Sequence, residues 1–487
     1  MIHDLIIIGG GINGCAIARE AAINGLSVLL VERDDIASHT SSASTGLIHG
    51  GLRYLEYREF GLVREALQER ERLLKAAPHL IAPMRFVLPH ENTIRPWWLV
   101  RLGLLLYDHL GGRISLPRSR GLRTSDTAYQ APLRHMAKGF VYSDCRTDDA
   151  RLTLAYALDA AQHGADIRTY TALVSARRRD GLWHVAFSDG SQASAHALVN
   201  AAGPWVMQTQ ALSGITGSSR VRLVKGSHII VPRLYGGDHA YMLQQPDRRI
   251  VFALPYQERW TVIGTTDVAV AQPEDAGISP DETAYLCAAA SRAFSAAIAP
   301  ADVIASYSGV RALHDDGASE SRAVTRDYVL EMTAEGPPAL SVFGGKITTA
   351  RHLAEEAFDR LAPVMGWTRD LSSRGLPFPG GDIADFATFV ATAEQRWPFL
   401  GPERAARMAH AYGSRLPDML AGVTSEADMG EAFGAGFTQI EARWMREREF
   451  ARTAEDCLMR RSKVGLLMTE AQREAFARWW DDASVPA

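Results

Sequence analysis

Cysteine is scarce and scattered in this chain: Cys15, Cys145, Cys287 and Cys457 stand far apart and form no CxxC pair. That argues against a disulfide framework and against a zinc site of ordinary ligand spacing, and it favours a reducing compartment. No uninterrupted apolar run reaches the length of a membrane span. A net charge of only −4 offers no general surface for nucleic acid. Internal repeats, low-complexity tracts, a P-loop, a nucleophile elbow and a metal-ligand signature are all missing. The first strand begins at the start of the sequence, so no signal or transit peptide is expected. What remains is an ordinary globular composition, 47% hydrophobic and 22% charged over 487 residues, enough for two or three domains with a substantial core.

Glycine is placed where it carries information. The apolar strand Leu5 to Ile8 runs into Gly9-Gly10-Gly11-Ile12-Asn13-Gly14, and a helix rich in small residues, an Asn24-Gly25 turn and the strand Leu26 to Val31 follow, with Glu32 closing the unit. In a dinucleotide-binding βαβ unit, Gly9 permits the tight turn, Gly11 lets backbone approach a pyrophosphate, and Gly14 allows close helix–strand packing. The helix aims its first amides and its positive dipole end at the phosphates. Glu32 stands where a carboxylate accepts hydrogen bonds from a ribose hydroxyl and would repel a 2′-phosphate, which disfavours NADP. FAD and NAD both remain open on this motif.

Further along, a serine-rich loop (Ser38 to Thr45) precedes Gly46-Leu47-Ile48-His49-Gly50-Gly51-Leu52-Arg53-Tyr54, and a helix is expected from about Leu62 to Ala77, ending before Pro78. The segment Met84 to Arg123 carries seven arginines against Glu91 and Asp108. Within it, Pro96 to Tyr107 reads as a helix with proline in its first turn and a narrow polar stripe of Arg101 and Asp108. Paired Trp97 and Trp98 with flanking arginines suit an interfacial helix, and a buried core helix fits the pattern equally well. A helix from about Asp148 to His163 follows, then strands at Val174 to Arg178, Trp183 to Phe187, Leu198 to Trp205 (ending in small residues), His228 to Val231, Ile250 to Leu254 and Thr261 to Gly264. A second strand–glycine–helix junction, Leu340 to Phe343 then Gly344-Gly345-Lys346, implies that the nucleotide domain is discontinuous. Beyond the linker at Pro377 to Gly381 the pattern is helical.

A redox enzyme acting on a small anion needs a hydride acceptor, fixed positive charge and a proton acceptor. Arg53, Arg311, Arg326 and Lys346 adjoin glycine-rich or strand-end sequence and are the candidates for the charge. His228 and His49 are the candidates for the base.

Taken together, Ile7 to Gly14, Thr40-Ser41-Ser42-Ala43-Ser44, Leu47 to Glu56, Pro83 to Phe86, Tyr107 to Leu110, Lys225-Gly226-Ser227-His228, Gly264 to Asp267, Ser308 to Arg311 and Phe343 to Lys346 resemble the FAD-dependent, respiratory glycerol-3-phosphate dehydrogenases over nearly the whole chain. The resemblance implies an α/β (α+β overall) fold like that of D-amino-acid oxidase. Its parts would be a Rossmann-like FAD-binding domain (1–80, 140–222 and 305–376), an antiparallel-sheet substrate domain (81–139 and 223–304, including the helix at 96–110) and a helical C-terminal domain (382–487). It implies non-covalent FAD held by Gly9, Gly11, Gly14, Glu32, Arg33, Ser41, Ser42, Ser44, Ala202, Gly203, Trp205, Gly344, Gly345, Lys346, Ile347 and Thr348. Substrate would meet Arg53, Tyr54, Arg311, Arg326 and Lys346, with His228, Arg311 and His49 nearest the chemistry. The implied reaction oxidises glycerol 3-phosphate by hydride transfer from C2, with electrons passed to ubiquinone or another quinone. The implied setting is the cytoplasmic face of the cell membrane, with peripheral attachment, and a homodimer is compatible with it. The chain departs from the family pattern at Gly46 (usually Lys), Ala312 (usually Pro) and Ala350-Arg351-His352 (usually Tyr-Arg-Lys). Gly46 is therefore expected to make room for a longer polyol phosphate such as erythritol phosphate. A flavin-binding protein without turnover is the alternative of another class.

Overall fold

A computed structural model describes residues 2–90, 95–135, 138–315, 327–333 and 335–482. Five parallel strands form the heart of the first sheet, in the order Ala339–Phe343, Gln192–Asn200, Ile2–Ile8, Val28–Val31, Asp166–Arg168. Val329–Thr333 adds antiparallel at one edge, and a hairpin, Leu173–Arg179 with Leu182–Phe187, joins the antiparallel flank of Gln192–Asn200. Parallel strands are covered on both faces, which is why Leu5 to Ile8 and Val28 to Val31 are continuous apolar runs without alternation. The helices Ile12–Ile23, Asp149–Gln162 and Ala350–Met365 share one apolar core with this sheet through small residues such as Ala16, Ala157, Ala354 and Ala357. Asp148 caps the second of these helices by accepting the Arg151 amide at 3.1 Å.

The second sheet is antiparallel except where Ala240–Gln244 lies parallel to Ile81–Pro89. Its longest strand, Val221–Pro232, pairs with Trp260–Gly264 on one side and Ala305–His314 on the other. The helix Pro280–Ala293, opened by a Ser279–Glu282 capping box, covers one face. Two segments fall on this sheet although the expected boundaries assign them to the nucleotide domain. Gly139–Thr147 pairs along its whole length with Ile81–Pro89, and Ala305–His314 zips along Val221–Ile230. Strand character was legible in neither case as membership of one sheet, because register partners lie far away in sequence.

The C-terminal region is helical, with Phe386–Arg396, Gly401–Tyr412, Gln439–Arg448 and Glu470–Asp482 around a core of Trp397, Met408, Tyr412, Met445, Phe476 and Trp480. It also contains a ladder of Ala432–Gly434 with Phe437–Thr438, too short to leave a period-two pattern. Ion pairs fix this region to the rest: buried Arg461 to Asp35 at 2.5 Å and Arg151 to Glu449 at 2.6 Å, and half-buried Lys463 to Asp148 at 2.9 Å.

The helix expected from Pro96 spans Trp97–Leu110, with Pro96 as its N-cap. Val100, Leu104 and Tyr107 face the core at i, i+4, i+7, while Trp98, Leu102 and Leu105 repeat the same spacing on the outside, 65%, 45% and 45% exposed. Arg101 and Asp108 both engage Ser119, at 3.1 Å and 2.6 Å, so the polar stripe is used internally and the outer face is apolar. Tyr57 and Phe60 are exposed as well. The helix is thus neither wholly buried nor ordinary surface. Among the described residues no helix is long and apolar enough to cross a membrane.

Candidate active site

The glycine loop is shaped by contacts that a side chain would block. Gly9 has φ +115°, and a Cβ there would lie 2.5 Å from the Ala201 carbonyl oxygen. A Cβ on Gly14 would lie 1.9 Å from the Gly9 oxygen, so helix and strand can approach only with glycine at this position. Gly11 is the N-cap of Ile12–Ile23, and a Cβ there would lie 3.1 Å from Ser41 Oγ. Glu32 accepts the Gly10 amide at 2.6 Å and the Asp34 amide at 3.0 Å; burial pushes its carboxyl up, against the pull of those amides. Arg33 lies over the Trp205 ring at 3.9 Å, and Trp205 also meets His39 at 4.6 Å. Ala202 donates its amide to Asn200 at 3.3 Å, and Gly203 has φ +55°. Glu32, Asp34 and His39 bring ligand atoms within 4.8 Å of one another, but these atoms already serve hydrogen bonds to Gly10, Asp34 and each other.

The serine-rich loop closes over this end. Ser41 Oγ accepts the Ile12 amide at 2.9 Å, Ser42 Oγ donates to the His39 carbonyl at 3.2 Å, and Thr40 Oγ1 donates to the Val310 carbonyl at 2.7 Å. Ser44 donates both its amide and its hydroxyl to Asp149, at 2.9 and 2.8 Å. The second glycine junction arrives from the far end of the chain: Asn13 Nδ2 donates to the Gly344 carbonyl at 3.0 Å, and a Cβ on Gly345 would stand 2.6 Å from the same amide. Ile347–Thr349 forms a single 3₁₀ turn ahead of the helix, and the His49 amide donates to Thr348 Oγ1 at 3.4 Å. The residues present fit FAD: backbone cleared by glycine at a helix N-terminus, a ribose-type carboxylate at the strand end and two converging loops.

Beside these loops, Lys346 Nζ lies over the Tyr54 ring at 4.1 Å and is buried with no hydrogen-bond partner among the described residues; Arg53 Nε is likewise buried and unpartnered. Arg311 projects from the second sheet and pairs with Asp267 at 2.5 Å. The neighbouring strand carries His228, opposite Tyr307 in the register and stacked on it at 4.7 Å. Thr45 Oγ1 shares a hydrogen bond with His228 Nε2 at 2.9 Å, while Nδ1 has no partner. Burial, helped by Arg311, pushes the imidazole down to about 3, so it is neutral at physiological pH. His49 meets Phe252 edge-on at 6.5 Å. Arg326 lies outside the described residues.

Gly46 stands at a tight turn beside open space. Its φ is +68°, a Cβ would lie 2.9 Å from the Thr147 oxygen, and its carbonyl accepts the Thr147 amide at 2.8 Å. It lines a cavity of about 1120 Å³ shared with the C-terminal region, whose wall includes neither Arg53, Tyr54, His228, Arg311 nor Lys346. The positive φ suits glycine at this turn, and the cavity beside it is also lined by Thr45 and Tyr307, both in contact with His228.

Several supporting residues escaped the sequence reading. Thr45 adjoins the serine-rich loop and Asp267 ends Gly264 to Asp267, so contiguity with known motifs was a usable signal. Asn13, inside the glycine motif, carried the same signal, whereas Asp149 left none, since its partner is distant in sequence. Lys225, in the motif before His228, is bound to Glu282 at 2.9 Å. Burial works against the Glu282 carboxylate, yet Thr266, the Ser279 amide, Lys225 and Ser227 together bring it down to about 2.

Residues 4–351 match the FAD dependent oxidoreductase family, and residues 371–481 match the C-terminal domain of alpha-glycerophosphate oxidase. A glycerol-3-phosphate dehydrogenase of Pseudomonas aeruginosa is 50% identical over 97% of this chain and 94% of its own. A D-erythritol 1-phosphate dehydrogenase of Brucella abortus is 49% identical over 99% of both. The aerobic glycerol-3-phosphate dehydrogenase of Escherichia coli is 45% identical over 98% and 97%. Among solved structures, glycerol-3-phosphate dehydrogenase from Bacillus halodurans in complex with FAD superposes with a TM-score of 0.75 at 25% identity, covering 99% of this chain and 94% of that one. The chain belongs to the FAD-dependent oxidoreductase family and is an FAD enzyme.

Proposed function

We propose that this enzyme oxidises sn-glycerol 3-phosphate to dihydroxyacetone phosphate. The observation that carries the reading is Lys346: an ammonium buried over Tyr54 with no hydrogen-bond partner among the described residues, and next to Tyr54 in sequence Arg53, whose Nε is also buried without one, together suit an anion. A phosphate supplies that anion, and Arg311 adds a guanidinium fork from the facing sheet. The phosphate then fixes C2 near His228. With Thr45 accepting from Nε2–H, the neutral ring keeps its Nδ1 lone pair for the C2 hydroxyl proton. FAD, when bound, supplies the acceptor for the hydride leaving C2 and the route by which its two electrons reach a quinone.

A second substrate, D-erythritol 1-phosphate, is favoured by the near-equal similarity to the Brucella relative. The quinone and the membrane belong to the same reading, supported by the apolar outer face of Trp97–Leu110 and its exposed neighbours Tyr57 and Phe60. The enzyme would rest on the cytoplasmic face of the membrane, where its acceptor is dissolved. Anaerobic addition of each polyol phosphate to the holoenzyme tests the proposal. Bleaching of the flavin absorbance by glycerol 3-phosphate is expected; bleaching by erythritol 1-phosphate alone would transfer the assignment, and bleaching by neither would remove it.

A further inference from the structure

We propose that Tyr107 is a positioning residue for the substrate loop, and that the helix displaying the apolar outer face is by this contact a wall of the active site. The inference rests on the polyol-phosphate reading only for its assay. The loop His49 to Tyr54 turns sharply at Gly50 and Gly51, the latter with φ +72°, and its next residues, Arg53 and Tyr54, belong to the cationic cluster. The Gly50 amide donates to the Tyr107 hydroxyl at 2.7 Å, and that hydroxyl donates to the Asp144 carboxylate at 2.8 Å. Arg70 holds Asp144 from the other side at 2.8 Å. Tyr107, Asp144 and Arg70 are all buried.

The geometry fixes the loop in three ways. A hydroxyl whose proton is committed to a carboxylate presents its lone pair in one direction, so the Gly50 amide has one place to dock. A Cβ on Gly50 would stand 2.6 Å from Leu67 Cδ2 and 2.9 Å from Tyr107 Cε2, so only glycine lets the backbone reach the ring. A second tie runs from the same loop to the segment preceding the helix, where Arg95 donates to Glu56 at 3.0 Å. Arg53 and Tyr54 lie between these two ties, three and four residues past the pinned amide. None of Tyr107, Asp144 or Arg70 needs to meet substrate; their effect passes through Gly50.

Tyr107→Phe removes only the hydroxyl. The expected result is a KM for glycerol 3-phosphate raised roughly tenfold, with kcat at saturation changed by about twofold or less, because substrate capture loosens while the reacting groups stay in place. Inhibition by inorganic phosphate should weaken in parallel. A lowered unfolding temperature with unchanged KM and unchanged phosphate inhibition would overturn the proposal, since a merely structural tyrosine gives that pattern. Should Tyr107→Phe not fold, Asp144→Asn keeps the tyrosine and must shift KM in the same direction; no shift overturns it equally. Wild-type enzyme that turns over neither polyol phosphate would refute the function and leave this proposal to be decided by perturbation of the flavin spectrum with inorganic phosphate.

Discussion

Replacing Trp98, Leu102 and Leu105 together by serine should release the protein from lipid while leaving its fold and redox chemistry intact. The three side chains are 65%, 45% and 45% exposed and form one face of Trp97–Leu110. Fully burying a side chain of this kind contributes about 1.5–3 kcal/mol, so the exposed fractions correspond to about 2 kcal/mol for Trp98 and about 1 kcal/mol for each leucine. Their loss, about 4 kcal/mol, is on the order of a thousandfold in the partition coefficient. Co-flotation with vesicles containing anionic lipid, at two salt concentrations, reads this directly. FAD content and turnover with a water-soluble acceptor should match wild type, because none of the three contributes to the cofactor loops. Undiminished flotation of the triple variant would refute the assignment of this face to the membrane. Loss of binding at high salt in the wild type would transfer the affinity to the neighbouring arginines.

Arg311→Ala should raise KM and lower kcat, costing roughly 10²–10³ in kcat/KM, because the phosphate it is proposed to hold also places C2; unchanged steady-state kinetics would remove it from the site. His228→Asn should cut the rate of flavin reduction by roughly 10²–10⁴ in stopped flow, with FAD content unchanged. The same histidine gives a stability signature: its folded value of about 3 lies below that of an unfolded histidine, roughly 6.5, so its contribution is fully present above that pH and is lost as pH falls toward 3. The variant should therefore lose less stability than wild type between those limits in denaturant titrations. Lys463→Met, which leaves Asp148 and Asp149 without their cation, should weaken retention of FAD through Ser44, visible as release of the cofactor on gel filtration.

The nucleotide unit was legible because its chemistry is local: strand, glycines, helix and Glu32 lie within one stretch and each has a conformational reason to be there. The cationic cluster was legible residue by residue but not as a cluster, since Lys346 meets Tyr54 and Arg311 meets Asp267 only after two sheets have formed. Gly46 was legible only in part for a related reason: a missing side chain suggests space for a ligand, while its positive φ and the nearby Thr147 oxygen belong to the folded backbone. Sheet membership of Gly139–Thr147 and Ala305–His314 was likewise invisible, because alternation reports burial of a strand and not the identity of its neighbour.

The strand order of the first sheet also sets a timetable for synthesis. Ile2–Ile8 leaves the ribosome well ahead of one of its two neighbours, Gln192–Asn200, which follows ~190 residues later, a wait of roughly 10–40 s at ordinary translation rates. Asn13 waits longer still for the Gly344 carbonyl. During that interval an isoleucine-rich strand edge stands unpaired, the kind of surface that recruits another nascent chain. Cofactor capture is consequently a late event, and conditions that slow initiation or supply a chaperone should raise the yield of flavin-loaded protein more than added riboflavin does.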